Sequence, residues 1–529
     1  MLKKFTKSLL VLTMVAALAA CTQTENNAGI KQKAETVAVA NVPKLKVTEE
    51  KNLVIMHLND THGRVEEGKY DGMGYARVKT LVDAEREVND NVLLIDAGDT
   101  IHGTVFAALS RGESIVDIMN TMDYTAMAPG NHDFNYGLDR LEELEEKMNF
   151  EVLASNVEYK ENGNSAFKPY IIKEIDGMKI GILGVSTPET AYKTSPTNVE
   201  AVTFTNPIAT AKKAVKELSD KGVHYIIAVS HLGMDEDSYY TSIRLAEEVE
   251  GIDLIVDGHS HTTLKNGLQL DDTLIVQTGF YDKNLGKVEI AINTDGSSDT
   301  TASLISKDFA MENVAKDAGI VETIQNIKVT NEKITGIVLG HSDITLDGER
   351  DQVRTGETNL GNLLTTSMLK KTGADLAITN GGGIRASINK GDITKGDVIS
   401  VLPFGNYVVV IEVTGQDVVD AIENGIQSYP NARGAFPHID GMTVKFDPSK
   451  EAFSRVVEVT MADGEKLDPA KTYTVATNDF MAVGGDQYSS FKGKGVVGEY
   501  ESLEEILSDY INANGVTIAK PEDRIFSIR

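Results

Sequence analysis

The chain has 529 residues, 41% of them hydrophobic and 25% charged, and carries a formal net charge of −28. That length suits two to four domains with sizeable cores, and the composition is that of an ordinary globular protein. So acidic a chain repels polyanions, which excludes general nucleic-acid binding; a phosphate-bearing ligand needs local positive charge from metal ions or placed arginines.

The first twenty residues read as a targeting segment. Lys3, Lys4 and Lys7 form a basic start, LLVLTMVAALA is a short apolar run, and Leu18-Ala19-Ala20-Cys21 follows. The run is too short to span a bilayer comfortably. LAAC resembles the bacterial lipobox, in which the cysteine is lipidated and becomes N-terminal. The expectation is therefore a lipoprotein signal peptide over 1–20 and a lipid anchor on Cys21, holding the protein outside the cytoplasm on the bacterial cell membrane. Cleavage removes three lysines and no acid, taking the net charge to −31. Cys21 is the only cysteine, which excludes an intrachain disulfide and a thiolate metal site. Residues 21–51 are polar, small and aperiodic and read as a flexible tether.

From Leu53 onward, short apolar runs alternate with helical patterns. LVIMHL (53–58), VLLIDA (92–97), YTAMA (124–128), YIIAVS (225–230), LIVDG (254–258) and LIVQTG (274–279) predict strands buried on both faces. Helical stretches over 73–89 and 138–148 lie between them. Polar clusters come directly after the strands, where open α/β sheets place their ligands. Five such loops stand out: Asn59-Asp60-Thr61-His62, Asp96-Ala97-Gly98-Asp99, Gly130-Asn131-His132-Asp133, Ser230-His231 and Gly258-His259-Ser260-His261. They hold five of the ten histidines. In D-x-H and H-x-H after a strand, alternation puts both side chains on one side. One such pair is most often a packed or surface histidine; five together make a ligand set. His57 and His224 belong to strand runs and read as structural, His341 and His438 carry no supporting pattern, and His102 is close enough to Asp99 to approach a substrate.

The order D-x-H, G-D, G-N-H-D, H, G-H-x-H resembles the calcineurin-like metallophosphoesterase family. That resemblance implies an α/β fold with an N-terminal four-layer αββα domain over 52–310. It places Asp60, His62 and His261 on one metal, Asn131, His231 and His259 on a second, and Asp99 between the two. Four imidazoles, two carboxylates and an amide oxygen, without sulfur, suit ions of the Zn, Mn, Co or Fe type better than calcium. In such a site, with metals ~3.5–4 Å apart, a metal-bound hydroxide attacks while both ions stabilise the phosphoryl oxygens. His132 is implied to face the phosphoryl group or leaving oxygen as acid or charge stabiliser. Its partner is open. Several relatives place an aspartate three residues on, where this chain has Asn135, and Asp133 is the alternative; an amide can orient the ring but cannot raise its pKa by charge.

The stretch MENVAKDAGIVETIQNIKVTNEKI reads as one amphipathic linker helix over 311–335 joining two bodies. Beyond it, NGGGIRASINKGDITKGDVISVLPFGN (380–406) and NDFMAVGGDQY (478–488) resemble the C-terminal domain of 5'-nucleotidases, a family that includes bacterial UDP-sugar hydrolases and ecto-5'-nucleotidase. With the first half, the resemblance covers about residues 52–527. It implies a smaller α/β substrate-binding domain over 336–529. Three glycines there permit close ligand approach. By the same resemblance, Arg354 and Arg385 hold phosphate or ribose oxygens, Phe404 and Phe480 sandwich the base, Asp486 accepts from ribose hydroxyls, and Asn380 and Gly383 contact the nucleoside. Read alone, Phe404 after Pro403 looks more like core.

The implied activity is hydrolysis of nucleoside 5'-monophosphates to nucleoside and phosphate, with di- and triphosphates and nucleotide sugars as further candidates. Asp486 favours that 5'-phosphate pose. The FNYG ending of the Gly130 loop is closer to the 2',3'-cyclic-nucleotide 2'-phosphodiesterase/3'-nucleotidase branch. Expected partners are the nucleotide and the membrane, with no nucleic acid and no obligate protein partner.

Overall fold

The apolar runs form strands close to where the sequence places them: Lys51–Leu58, Val92–Asp96, Ala126–Met127, Tyr225–His231, Leu254–Val256 and Thr273–Val276. The computed structural model describes residues 45–68, 71–194, 196–236, 238–517 and 521–528; the expected signal peptide, Cys21 and most of the tether lie outside the described residues.

Two six-stranded sheets share the first half. One runs Ser298–Ser306, Asn284–Ile292, Lys51–Leu58, Val92–Asp96, Ala126–Met127, Glu151–Val152 in spatial order. The other runs Leu268–Leu270, Thr273–Val276, Leu254–Val256, Tyr225–His231, Met178–Ser186, Tyr170–Ile175. Alternation explains why the runs are continuously apolar. Leu53, Ile55 and Ile95 of the first sheet pack against Ile180, Ile227, Val229 and Val256 of the second. Their neighbours Val54, Met56 and Leu94 face the helices Tyr75–Val88 and Glu113–Met122 instead. On the far side, Leu183, Ile226 and Ile255 pack against the helices Pro207–Asp220 and Ser242–Glu248. Helix, sheet, sheet, helix: four layers. Because the Lys51, Val92 and Ala126 strands are parallel, and so are the Met178, Tyr225 and Leu254 strands, each group sends its C-terminal ends to one edge.

The expected single linker helix is two, Lys307–Asn313 and Ala318–Thr335. Val314 leaves helical geometry at φ −117°, ψ 124°, and Asp317 restarts it by accepting from the Ile320 N–H at 2.8 Å. The amphipathic pattern runs on across the break because Ala310, Ile320 and Ile324 all bury into the same cluster.

The second half centres on a five-stranded sheet in the order Pro437–Asp440, Leu376–Asn380, Thr472–Asn478, Tyr407–Thr414, Val496–Ser502. The helix Gly415–Ile426 covers one face, and Asn359–Thr372 with Leu503–Asn514 the other. Both halves belong to one compact unit, Val42–Arg529. No described helix is long and apolar enough to cross a membrane.

Candidate metal centre and nucleotide face

Asp60, His62, Asp99, Asn131, His231, His259 and His261 converge at the strand ends. One ligand atom from each of Asp60, His62 and His261 lies within 4.8 Å of the other two, and the same holds for Asp99, His231 and His259. Asp99 also groups with His62 and His132, which places it at the centre. The backbone is bent to achieve this: Asp60, His62, Asp99, His259 and His261 all have positive φ, between 49° and 75°. For non-glycine residues that conformation costs on the order of 1–3 kcal/mol each and persists where the surrounding structure over-determines it.

Two of the donor atoms, His231 Nε2 and Asn131 Oδ1, are buried without a hydrogen-bond partner. His231 gives its Nδ1–H to the Ala97 carbonyl at 2.5 Å, which turns Nε2 toward Asp99 Oδ2 at 3.2 Å. Asn131 gives its amide N–H to the Lys193 carbonyl at 2.9 Å, and its buried Oδ1 has no hydrogen-bond partner. His62 and His261 bring their Nε2 atoms within 3.2 Å of each other. The space between is kept clear by a glycine: a Cβ on Gly130 would lie 2.2 Å from Asp99 Oδ1 and 2.6 Å from His231 Nε2. Burial opposes charge on His231, yet the Asp99 carboxylate raises its pKa to about 10. The pocket thus attracts a cation to the very atoms a divalent ion would use. A largely buried set of nitrogen and oxygen donors that includes two carboxylates fits two such ions.

In the Gly130 loop the three expected catalytic side chains separate by role. Both oxygens of Asp133 are taken by backbone N–H groups of Asp99, Thr100, Ile101 and Gly130, at 2.8–2.9 Å. It ties two ligand loops together and is not the partner of His132; burial pushes its pKa up to about 6. Asn135 is the partner. Its amide nitrogen lies 3.1 Å from His132 Nδ1 and 3.2 Å from His102 Nδ1, while its oxygen accepts from Thr194 Oγ1 at 2.8 Å. Donating to both Nδ1 atoms leaves each neutral imidazole its proton on Nε2. His132 therefore points an N–H outward, consistent with a donor to substrate oxygen.

Several residues at the site escaped the sequence reading. Glu189 and Lys193 stand beside His259, the carboxylate 3.1 Å from Nε2. They follow the strand Met178–Ser186, whose parallel pairing with the His231 strand carried the signal. From the second half, Glu499 Oε2 lies 3.4 Å from His132 Nε2, the Tyr407 ring meets the His132 ring edge-on at 4.7 Å, and Glu505 Oε2 is 3.3 Å from His102 Nε2. No local pattern announces contacts of that sequence separation.

The C-terminal candidates also gather. Asn380 donates to Asp486 Oδ2 at 2.8 Å, and the Arg385 guanidinium lies 5.5 Å from the centre of the Phe404 ring. Burial and the neighbouring Arg350 and Arg385 charges lower the pKa of Arg354, against the pull of Asp486, and its Nε has no partner. The Gly381–Gly383 turn passes so near residue 353 that a Cβ on Gly381 would sit 1.9 Å from the Val353 carbonyl oxygen. Phe404 and Phe480 are 54% and 42% exposed, so neither ring is core. Phe480 rests against Gly485, next to Asp486.

This fold and site define a class. The chain matches the family model of calcineurin-like phosphoesterases over residues 53–263 and that of the 5'-nucleotidase C-terminal domain over 338–493. It is 33% identical to the trifunctional nucleotide phosphoesterase protein YfkN of Bacillus subtilis, over 83% of this chain but 32% of that longer one. It is 30% identical to the snake venom 5'-nucleotidase of Crotalus adamanteus, covering 90% of this chain and 89% of the other. The crystal structure of a 5'-nucleotidase precursor from Thermus thermophilus is 33% identical, with a TM-score of 0.53 over 90% of this chain and 99% of that one. The chain belongs to the 5'-nucleotidase family. It is a metal-dependent phosphoric ester hydrolase whose cofactors are two divalent metal ions.

Proposed function

We propose that this enzyme releases phosphate and nucleoside from nucleoside 5'-monophosphates, with di- and triphosphates and nucleotide sugars as secondary substrates. The reading takes 52–310 as the phosphoesterase domain, 311–335 as the connector and 336–529 as the substrate domain. The observation that carries it is the presence, in one chain, of a ligand cluster centred on Asp99 and a separate grip of Arg354, Arg385, Asn380 and Asp486. In this reading Asp60, His62 and His261 hold one ion, Asn131, His231 and His259 the other, with Asp99 shared. The ions supply positive charge for the phosphate and acidity for the attacking water. His132 donates from Nε2 to the phosphoryl or leaving oxygen. The arginines bind phosphate or ribose oxygens, Asp486 the ribose hydroxyls, and Phe404 and Phe480 the base, where stacking contributes roughly 1–3 kcal/mol. The basic leader and LAAC support an extracytoplasmic, lipid-anchored location on Cys21.

A second reading, the 2',3'-cyclic-nucleotide phosphodiesterase/3'-nucleotidase, draws on Asn135, which stands where several 5'-nucleotidases carry aspartate. Phosphate release from AMP, 3'-AMP and 2',3'-cyclic AMP with added Mn²⁺ or Zn²⁺ separates the two. AMP should be the best substrate, and Asp99→Ala should abolish turnover of all three. A preference for the cyclic or 3' ester would sink the first reading.

A further inference from the structure

The strand Met178–Ser186 runs parallel to the strand that ends in His231, with Ser186 in register with His231. The segment after it therefore emerges at the metal centre and folds into one helical turn, Thr190–Lys193. That turn touches two candidate ligands of the same ion. The Lys193 carbonyl takes the amide N–H of Asn131 at 2.9 Å, which fixes the amide with its buried Oδ1 left without a hydrogen-bond partner. Glu189 Oε2 lies 3.1 Å from His259 Nε2 and 3.0 Å from Lys193 Nζ.

The chemistry of these contacts narrows who donates. A neutral imidazole has one N–H, and an ammonium has only donors, so Lys193 cannot accept it. Lys193 Nζ also lies 3.1 Å from His259 Nε2, where it can meet only an unprotonated nitrogen; with Lys193 engaged on Glu189 Oε2 at 3.0 Å, that carboxylate is the acceptor for a His259 Nε2–H. With its proton on Nε2, His259 keeps the Nδ1 lone pair for a metal. His231 shows the same logic inverted, Nδ1–H anchored on Ala97 and Nε2 left open. Ligand histidines are commonly aimed by such an outer acceptor, and losing it typically weakens metal binding ~10–100-fold.

We propose that Glu189, braced by Lys193, is a positioning residue that presents His259 Nδ1 to the second metal. The proposal rests on the dinuclear reading of the site. The test is calorimetric titration of Zn²⁺ into the metal-free full-length protein, which reads binding and not turnover. Wild type should take up two ions. Glu189→Ala should bind the first as wild type does and the second ~10–100-fold more weakly. Glu189→Gln, whose amide oxygen still accepts the Nε2–H, should fall between. An unchanged melting temperature of the metal-free Ala variant shows that the fold is intact. Two ions bound by Glu189→Ala with wild-type affinities, or both weakened equally, would overturn the assignment of Glu189 alone. A wild-type protein that binds only one ion would instead overturn the dinuclear reading beneath it.

Discussion

Among single residues, those the sequence marks out are those whose chemistry repeats at strand ends; a role that depends on one partner atom stays hidden. Asp133 and Asn135 are two residues apart on a 3₁₀ turn, and only their hydrogen bonds reveal that one ties loops and the other holds His132. His438 is hidden in the opposite sense, an unremarkable histidine in sequence that is fully buried against the Val353 carbonyl at 3.0 Å. Burial lowers its pKa from 6.5 to about 4. As pH falls through 6.5 the unfolded chain takes a proton that the folded chain refuses until about pH 4, so stability is lost across that window. At pH 5 the loss amounts to ~2 kcal/mol relative to pH 7. His438→Gln keeps a donor for Val353 and does not titrate. Stability of the variant to urea should then fall by ~2 kcal/mol less between pH 7 and pH 5 than that of wild type. The same pH slope in both proteins would show that His438 is not the source.

Elements were legible where the apolar run is unbroken. The strand Met178–Ser186 was not, because Gly181 and Gly184 interrupt it; a Cβ on Gly184 would lie 1.9 Å from the Leu153 carbonyl oxygen, so packing of the adjacent chain demands the glycine that breaks the pattern. Missing that strand hid Glu189 and Lys193. The loop Gly130–Gly137, in contrast, carries its proposed roles in its letters: a glycine too close to Asp99 and His231 to bear a side chain, then an amide proposed as a metal ligand and a histidine proposed to face the substrate. Its Asn135 position decides the tautomer of that histidine. With Asn135 donating to Nδ1, His132 carries its proton on Nε2. Aspartate at 135 would accept from Nδ1–H and favour the imidazolium by charge, which typically raises such a pKa by ~1–3 units. A higher pKa keeps the protonated form to higher pH. Burial holds the His132 pKa down to about 4, so Asn135→Asp should move the limb of the kcat–pH profile that follows His132 upward by ~1 unit or more. A superimposable profile would mean that turnover does not depend on the protonation of His132.

Across the whole molecule, the two halves meet at His132. Glu499 and Tyr407 come from neighbouring strands of the C-terminal sheet, paired at Val409 and Glu499, and both reach His132. Gly405 packs so closely on the first half that a Cβ there would lie 2.7 Å from the Gly103 carbonyl oxygen. Such contacts join positions several hundred residues apart and leave no trace in periodicity or spacing. They have a consequence for catalysis. Burial raises the pKa of Glu499 to about 7, against the lowering effect of Lys193, so a large share of the population carries a carboxylate beside His132 Nε2 at neutral pH. A phosphate dianion hydrogen-bonded to that same N–H would stand ~4 Å from it, where like charges at an effective dielectric near 20 repel by ~4 kcal/mol. The C-terminal edge must therefore withdraw, or its carboxyl take up a proton, when phosphate arrives. Glu499→Gln preserves the shape and removes the charge. Relief of only ~1.4 kcal/mol would lower the inhibition constant of inorganic phosphate tenfold, and KM for AMP should fall with it. If both constants match wild type, the Glu499 edge has already left His132 before phosphate binds, and the contact plays no part in admitting substrate.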